Sequence, residues 1–202
     1  MIAIIDYGLG NLFSVRNALN HLGAPNVITA DAREIARADG LLLPGVGAFG
    51  EGMRRLNESG LAGVIREQAA IKPLLGVCLG MQLLFDKSYE FGEHAGLGLL
   101  PGEVVRIEGD IRVPHIGWNG THLLGHPLTA GFTDGLDDGV CFYFVHSYKA
   151  LPDRADLIAT ADYAQEIAAI VGRGRIFGTQ FHPEKSGEAG LTLLKNFWRM
   201  TT

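Results

Sequence analysis

Through the first half of the chain, short and almost wholly apolar runs alternate with segments whose apolar residues recur every third or fourth position. IAIID at 2–6 predicts a first strand. Asn11 stands as N-cap of a helix over LFSVRNALNHL, with Leu12, Val15, Leu19 and Leu22 at helical spacing and Gly23 as its stop. NVIT at 26–29, GLLLP at 40–44, LLGV at 74–77 and EVVRI at 103–107 predict further strands, the first three separated by helical patterns such as LAGVIREQAAI. Alternation of this kind predicts an α/β fold, with a mostly parallel central sheet flanked by helices. Beyond about residue 100 the texture changes. VCFYFVHSY (140–148), DLIATAD (156–162), IAAIVGRG (167–174) and RIFGTQF (175–181) follow one another across short turns and predict added antiparallel strands in the C-terminal half. GEAGLTLLKNFWRM closes the sequence as a helix with Leu191, Leu194 and Phe197 or Trp198 on one face. DKSYEFGEHAGLGLLPG, residues 86–102, predicts an irregular connection. No repeat, low-complexity tract or linker interrupts the pattern, so residues 1–202 are expected to form a single domain.

At 202 residues and 47% hydrophobic composition the chain can bury a full core. Its net charge of −5, without a long basic run, argues against nucleic acid as a partner. No apolar run approaches the roughly 20 residues of a membrane span, and the N-terminal run is cut by Asp6 and lacks a basic stretch, unlike a signal peptide. A soluble, cytoplasmic chain without a membrane partner is expected. Two cysteines, Cys78 and Cys141, are too few for a disulfide framework. In a reducing compartment each is an inert core residue or a reactive group, and VCFYFV around Cys141 reads as core.

Cys78 stands in GVCLG, which has the form of a nucleophile elbow, a sharp turn from buried strand to helix that exposes one side chain to the N–H groups of a helix start. A small core cysteine is the alternative. A reactive thiol needs a base, and seven histidines are available. His21, His94, His122 and His126 read as surface residues, whereas His115 in VPHIGWN and His146 in YFVHSY lie in structured contexts. His182 in TQFHPEKS precedes Pro183, which biases it toward extended backbone. An extended tripeptide would place Glu184 on the same side as His182, where a carboxylate orients an imidazole; a polar turn at a strand end is the other reading. LLLPGVG runs an apolar strand into Pro44, Gly45, Val46 and Gly47, a turn able to present N–H groups to a developing oxyanion, or an ordinary tight turn. It matches neither phosphate-binding fingerprint.

Together, PGVGAFG, GVCLGMQLLF, VPHIGWN, YFVHSY and GTQFHPEKSG, preceded by DYGLGN, closely resemble the triad-type (class I) glutamine amidotransferases over nearly the whole chain. Within that family the set is most similar to glutaminase subunits that work with a (β/α)8-barrel cyclase in histidine biosynthesis. The resemblance implies Cys78 as nucleophile, His182 as acid and base, and Glu184 as its orienter. It also implies an oxyanion hole at Leu79 and the Val46–Gly47 turn, and Gln82 as a glutamine-binding residue. Asn11, His115, Trp118, Tyr143 and His146 would support the site or face the partner. A heterodimer that passes ammonia to the cyclase is expected, with no metal and no organic cofactor. Another glutaminase subunit, a stand-alone cysteine hydrolase and a non-catalytic binding module are the rivals. The single-glycine PGVG turn with PHIGWN, Gln82, and the intact Cys78, His182 and Glu184 speak against them in turn.

Overall fold

In the computed structural model, which describes residues 1–125 and 129–202, the apolar run Ile2–Ile5 is buried at every position and forms β1. It pairs in parallel with β2 (Asn26–Thr29) and β3 (Gly40–Gly45), and β4 (Leu74–Cys78) extends the parallel array beyond β3. These are the runs that the sequence pattern marks, buried at every position in β1, β3 and β4 and part-buried in β2. The links between them are α1 (Leu12–His21), α2 (Ala32–Arg37), α3 (Phe49–Glu58) and α4 (Leu61–Ala69). Val15 and Leu19 of α1 are buried, and the αL glycine Gly23 follows the helix. Asn11 holds the N-cap position, yet its side-chain oxygen accepts from the Ser14 hydroxyl at 2.9 Å and not from a backbone N–H.

The C-terminal half supplies β8 (His115–Leu123), β9 (Cys141–His146), β11 (Leu157–Asp162), β12 (Glu166–Arg173) and β13 (Ile176–Thr179). They complete a nine-stranded sheet in the order β2-β1-β3-β4-β13-β12-β11-β8-β9. Strand β13 is the joint: parallel to β4 on one edge and antiparallel to β12 on the other. Residues 86–102 are not an irregular connection. They contribute to a second, four-stranded sheet built from β5 (Phe85–Ser88), β6 (His94–Ala95), β7 (Leu100–Arg106) and β10 (Tyr148–Pro152), so EVVRI belongs to this sheet and not to the parallel one.

Period-two alternation divides the core between the two faces of the large sheet. Ala3, Ile5, Leu41 and Leu43 pack with α2, α3, α4 and the small sheet, while Ile2, Ile4, Leu42 and Val77 pack with α1 and the C-terminal α7 (Gly187–Arg199). Leu194 and Phe197 of α7 are fully buried and Trp198 is partly so. The same alternation corrects the reading of Cys141. It starts the edge strand β9 in which Phe142, Phe144 and His146 turn inward, so Cys141 points outward and is exposed. A four-residue helix, α5 (Leu79–Gln82), follows β4 directly, and α6 (Thr129–Phe132) lies on the α7 side. Among the described residues no helix is long and apolar enough to cross a membrane.

Gly76 and Gly80, on either side of Cys78, are required by close approach. A Cβ on Gly80 would lie 1.8 Å from the Leu43 carbonyl oxygen, and one on Gly76 would lie 2.6 Å from the Gly80 oxygen. Backbone cannot yield as a flexible side chain does. Gly80→Ala is therefore expected to lower stability by about 3 kcal/mol, or roughly 6–12 °C in Tm, measurable by thermal melting.

Candidate active site

The turn from β4 into α5 puts Cys78 at φ 54° and ψ −112°, left-handed backbone that side chains rarely adopt. The residue lies on the floor of a cavity of about 340 Å³. Because Gly45 pairs with Cys78 across β3 and β4, the turn at Val46 and Gly47 comes to the rim of the same cavity. Gly47 has φ 100°, and Val46 is exposed. Leu79 carries the first N–H of α5, a position that has no carbonyl partner within its own helix.

His182 reaches the cavity from just beyond β13. Its backbone is held at both ends: its N–H donates to Tyr143 O at 3.0 Å and its carbonyl accepts from the Ser186 hydroxyl at 2.6 Å. Residues 182–184 are not the extended tripeptide expected from the sequence. His182 is extended, but Pro183–Lys185 forms one 3-10 turn, since proline's fixed φ and missing N–H suit the first position of a helical turn. The turn still brings the pair together, with His182 Nδ1 2.9 Å from Glu184 Oε1 and both side chains almost fully buried. The other carboxylate oxygen, Oε2, has no hydrogen-bond partner among the described residues. Burial disfavours the imidazolium, but hydrogen bonds to Cys78 and Glu184 outweigh it and raise the His182 pKa to about 9.

Gln82 is buried in the cavity wall, and its Nε2 donates to Tyr148 O and to Gln180 Oε1, both at 3.0 Å. Both amide hydrogens are thus used, and the oxygen is the end left for the cavity. His146 also lines the cavity. Burial, with smaller contributions from His115 and His182, holds its pKa at about 3 against the opposing pull of the Tyr148 carbonyl. The neutral ring donates Nδ1–H to Tyr148 O at 2.8 Å, so its Nε2 accepts from His115 Nδ1, 3.1 Å away. His115 is buried and stacked between Phe144 and Tyr163. It sits behind the cavity and supports His146.

Trp118 and Tyr143 meet edge to face on β8 and β9, with Trp118 60% exposed. Asn11 lies outside the cavity, next to Gly10, whose missing Cβ lets Pro44 approach to 3.3 Å of that position. His21 and His122 are exposed, His94 is half-buried, and His126 lies outside the described residues.

A sequence profile described as "Glutamine amidotransferase class-I" matches residues 3–200. The chain belongs to the class I glutamine amidotransferase family. The "Imidazole glycerol phosphate synthase subunit HisH" of Moorella thermoacetica is 51% identical over 198 residues, covering 97% of this chain and 93% of the relative. The protein of the same name from Lacticaseibacillus casei is 53% identical over 206 residues, covering 100% of this chain and 96% of the relative. Solved structures share the fold at lower identity. A glutamine amidotransferase superposes with TM-score 0.74 at 18% identity, covering 100% of this chain and 99% of the other. PurLQS from Thermotoga maritima gives 0.72 at 18%, covering 100% and 98%.

In this amidotransferase the sequence reading passed over two polar side chains that bear on the chemistry of the cavity, Glu90 and Gln180. Glu90 lines it from the loop after β5, where its carboxylate accepts from the Phe49 N–H at 2.6 Å; burial raises its pKa, and Phe49 and His94 oppose that. Nothing in the local pattern of residues 86–102 marks it. Gln180 is fully buried behind the cavity wall, in the bend that follows β13, and its one signal in the sequence was its place two residues before His182.

Proposed function

We propose that this chain is the glutaminase subunit of imidazole glycerol phosphate synthase, acting as one catalytic domain over residues 1–202 in the cytoplasm. The observation that carries the chemistry is the convergence on one cavity of Cys78 at its strained turn, the His182–Glu184 pair, and the acceptors Gln82 and Glu90. The two acceptors suit an ammonium at one end of the substrate, and the thiol suits an amide carbon at the other. Glutamine has both. The half-identical relatives support the choice of synthase.

Cys78, its thiol proton passed to His182, attacks the side-chain amide carbon of glutamine through sulfur. Backbone N–H groups of Leu79 and the Val46–Gly47 turn hold the oxyanion. His182, protonated, gives its proton to the departing ammonia, which leaves a γ-glutamyl thioester; the neutral ring then takes a proton from water as the water attacks, and glutamate is released. Glu184 keeps the ring oriented throughout. Ammonia passes to a (β/α)8-barrel cyclase subunit, which makes imidazole glycerol phosphate and aminoimidazole carboxamide ribonucleotide. Trp118, Tyr143 and Asn11 face that partner.

Glycines on both sides of the exposed Val46 make reorientation of its peptide easy, so the turn serves as the control point. Glutamate release is measured for the chain alone, with the cyclase, and with the cyclase and its nucleotide ligand. Activation by roughly 10² to 10³ is expected, the contribution of one oxyanion donor. Full activity in the isolated chain would refute the gate, and no glutamate in any of the three mixtures would refute the function.

A further inference from the structure

We propose that Gln180 is a positioning residue of this site, whose amide helps fix the face that Gln82 shows the substrate and supplies an N–H donor to the Cys78 sulfur. The inference rests on the reading of Cys78 and Gln82 given above. The starting point is the Tyr148 carbonyl, a backbone oxygen that can only accept. It takes Nδ1–H of His146 at 2.8 Å and Nε2–H of Gln82 at 3.0 Å, so the Gln82 amide cannot turn over without setting oxygen against oxygen. Gln82 Nε2 has one hydrogen left, and it goes to Gln180 Oε1 at 3.0 Å. That contact decides the second amide in turn. With its oxygen engaged, Gln180 presents Nε2 to Cys78 Sγ at 3.9 Å. One unbroken line of donors and acceptors therefore runs from a fixed carbonyl to the sulfur.

The arrangement has chemical consequences at both ends. Toward the substrate, Gln180 holds the second hydrogen of a Gln82 amide that the Tyr148 carbonyl already orients, and so adds to the hold that keeps the Gln82 oxygen facing the cavity as an acceptor. Toward the nucleophile, an N–H aimed at sulfur interacts more strongly with the thiolate than with the thiol. A residue needed only to fill space at 0% exposure would be Leu or Met, because a buried amide destabilises unless its partners are all present. The backbone N–H of Gln180 donates to Ala169 O at 2.9 Å, which ties the residue to the neighbouring strand β12 and keeps the side chain from withdrawing.

Gln180→Met keeps length and volume but removes both polar ends. Alkylation of Cys78 by iodoacetamide across pH, followed by mass spectrometry of the labelled peptide, should show its profile moved upward by roughly half a pH unit or more. In the complex with the cyclase, KM for glutamine should rise about 3- to 10-fold. Gln82→Met should raise KM as well and, because it removes the contact that orients the Gln180 amide, should move the alkylation profile in the same direction by a smaller amount. Should the thioether not be accommodated in the fold, Gln180→Asn, which draws the amide back by one methylene, is read by the same two measurements. An alkylation profile superimposable on wild type in the folded Gln180 variant overturns the proposal. The alkylation needs no glutamine, so this result is independent of the glutaminase reading, which a Cys78→Ser variant that still hydrolysed glutamine would overturn by itself.

Discussion

Cys78→Ala should hydrolyse glutamine at least 10⁴-fold more slowly than the wild-type chain in the same complex, while melting close to the wild-type temperature. The two halves of this expectation have separate causes. Alanine keeps the Cβ that the turn already accommodates at φ 54°, and the lost sulfur leaves only a small space beside an open cavity, so the fold changes little. The chemistry, by contrast, loses the atom that forms the thioester. Treatment of the wild type with an electrophilic glutamine analogue should place the adduct on Cys78. Cys141 is an informative control because it is the more exposed thiol yet lies outside the cavity. A general alkylating agent reaches it, and the glutamine analogue should not. An adduct confined to Cys141, or an active Cys78→Ala chain, would sink the assignment.

His182→Ala should lose hydrolysis to a similar extent, because no other ring in the cavity is able to replace it. His146 is the nearest candidate, but both of its nitrogens are engaged, one donating to Tyr148 O and the other accepting from His115. Wild-type activity in His182→Ala would nonetheless point to His146 or His115. Glu184→Gln should retain the fold and lose a smaller part of the rate, on the order of 10² or more. A pH profile gives the sign. The His182 pKa is raised to about 9, so the proton needed by departing ammonia is present at neutral pH and is lost as pH climbs through that value. The rate should fall on this alkaline limb. Removing Glu184 removes one of the groups that raise the pKa, so the limb should move to lower pH in Glu184→Gln. By linkage, the ion pair stabilises the fold fully below the ordinary histidine value near 6.5, and that contribution disappears as pH rises through about 9.

What the sequence revealed and what it hid follow from the range of the forces involved. Strands β1, β3 and β4 were legible because each is buried on both faces and reads as a nearly continuous apolar run; β2, at the sheet edge, is only part-buried, yet NVIT at 26–29 matches it residue for residue. The elbow was legible because its glycines sit beside the cysteine in sequence. Residues 86–102 were not, since their two short strands are stabilised by β7 and by each other, with little local pattern of their own. Cys141 was misplaced because an apolar neighbourhood was taken for burial, when an edge strand turns every second residue outward. Glu90 became visible only when the hairpin carrying it folded back onto the start of α3. His182 and Glu184 were paired correctly by an incorrect geometry: a proline-started turn, and not an extended strand, joins them.

The joint strand β13 also sets when the protein can first become an enzyme. Strand β4, which ends at Cys78, has β3 on one edge, and its other edge is filled only by residues 176–179. A ribosome that has finished β4 must add about a hundred further residues before that edge closes, at roughly 5–20 residues per second. Until then the interior of the sheet is an open edge, an aggregation hazard, and the thiol has neither its base nor its buried carboxylate. The last strand to arrive is the one that leads into Gln180 and His182, so the event that seals the sheet is the same event that brings both side chains to Cys78. A chain that stops short of β13 holds the thiol without His182 and Glu184, and cutting the gene between β4 and β13 should yield two fragments that are inert until they find each other.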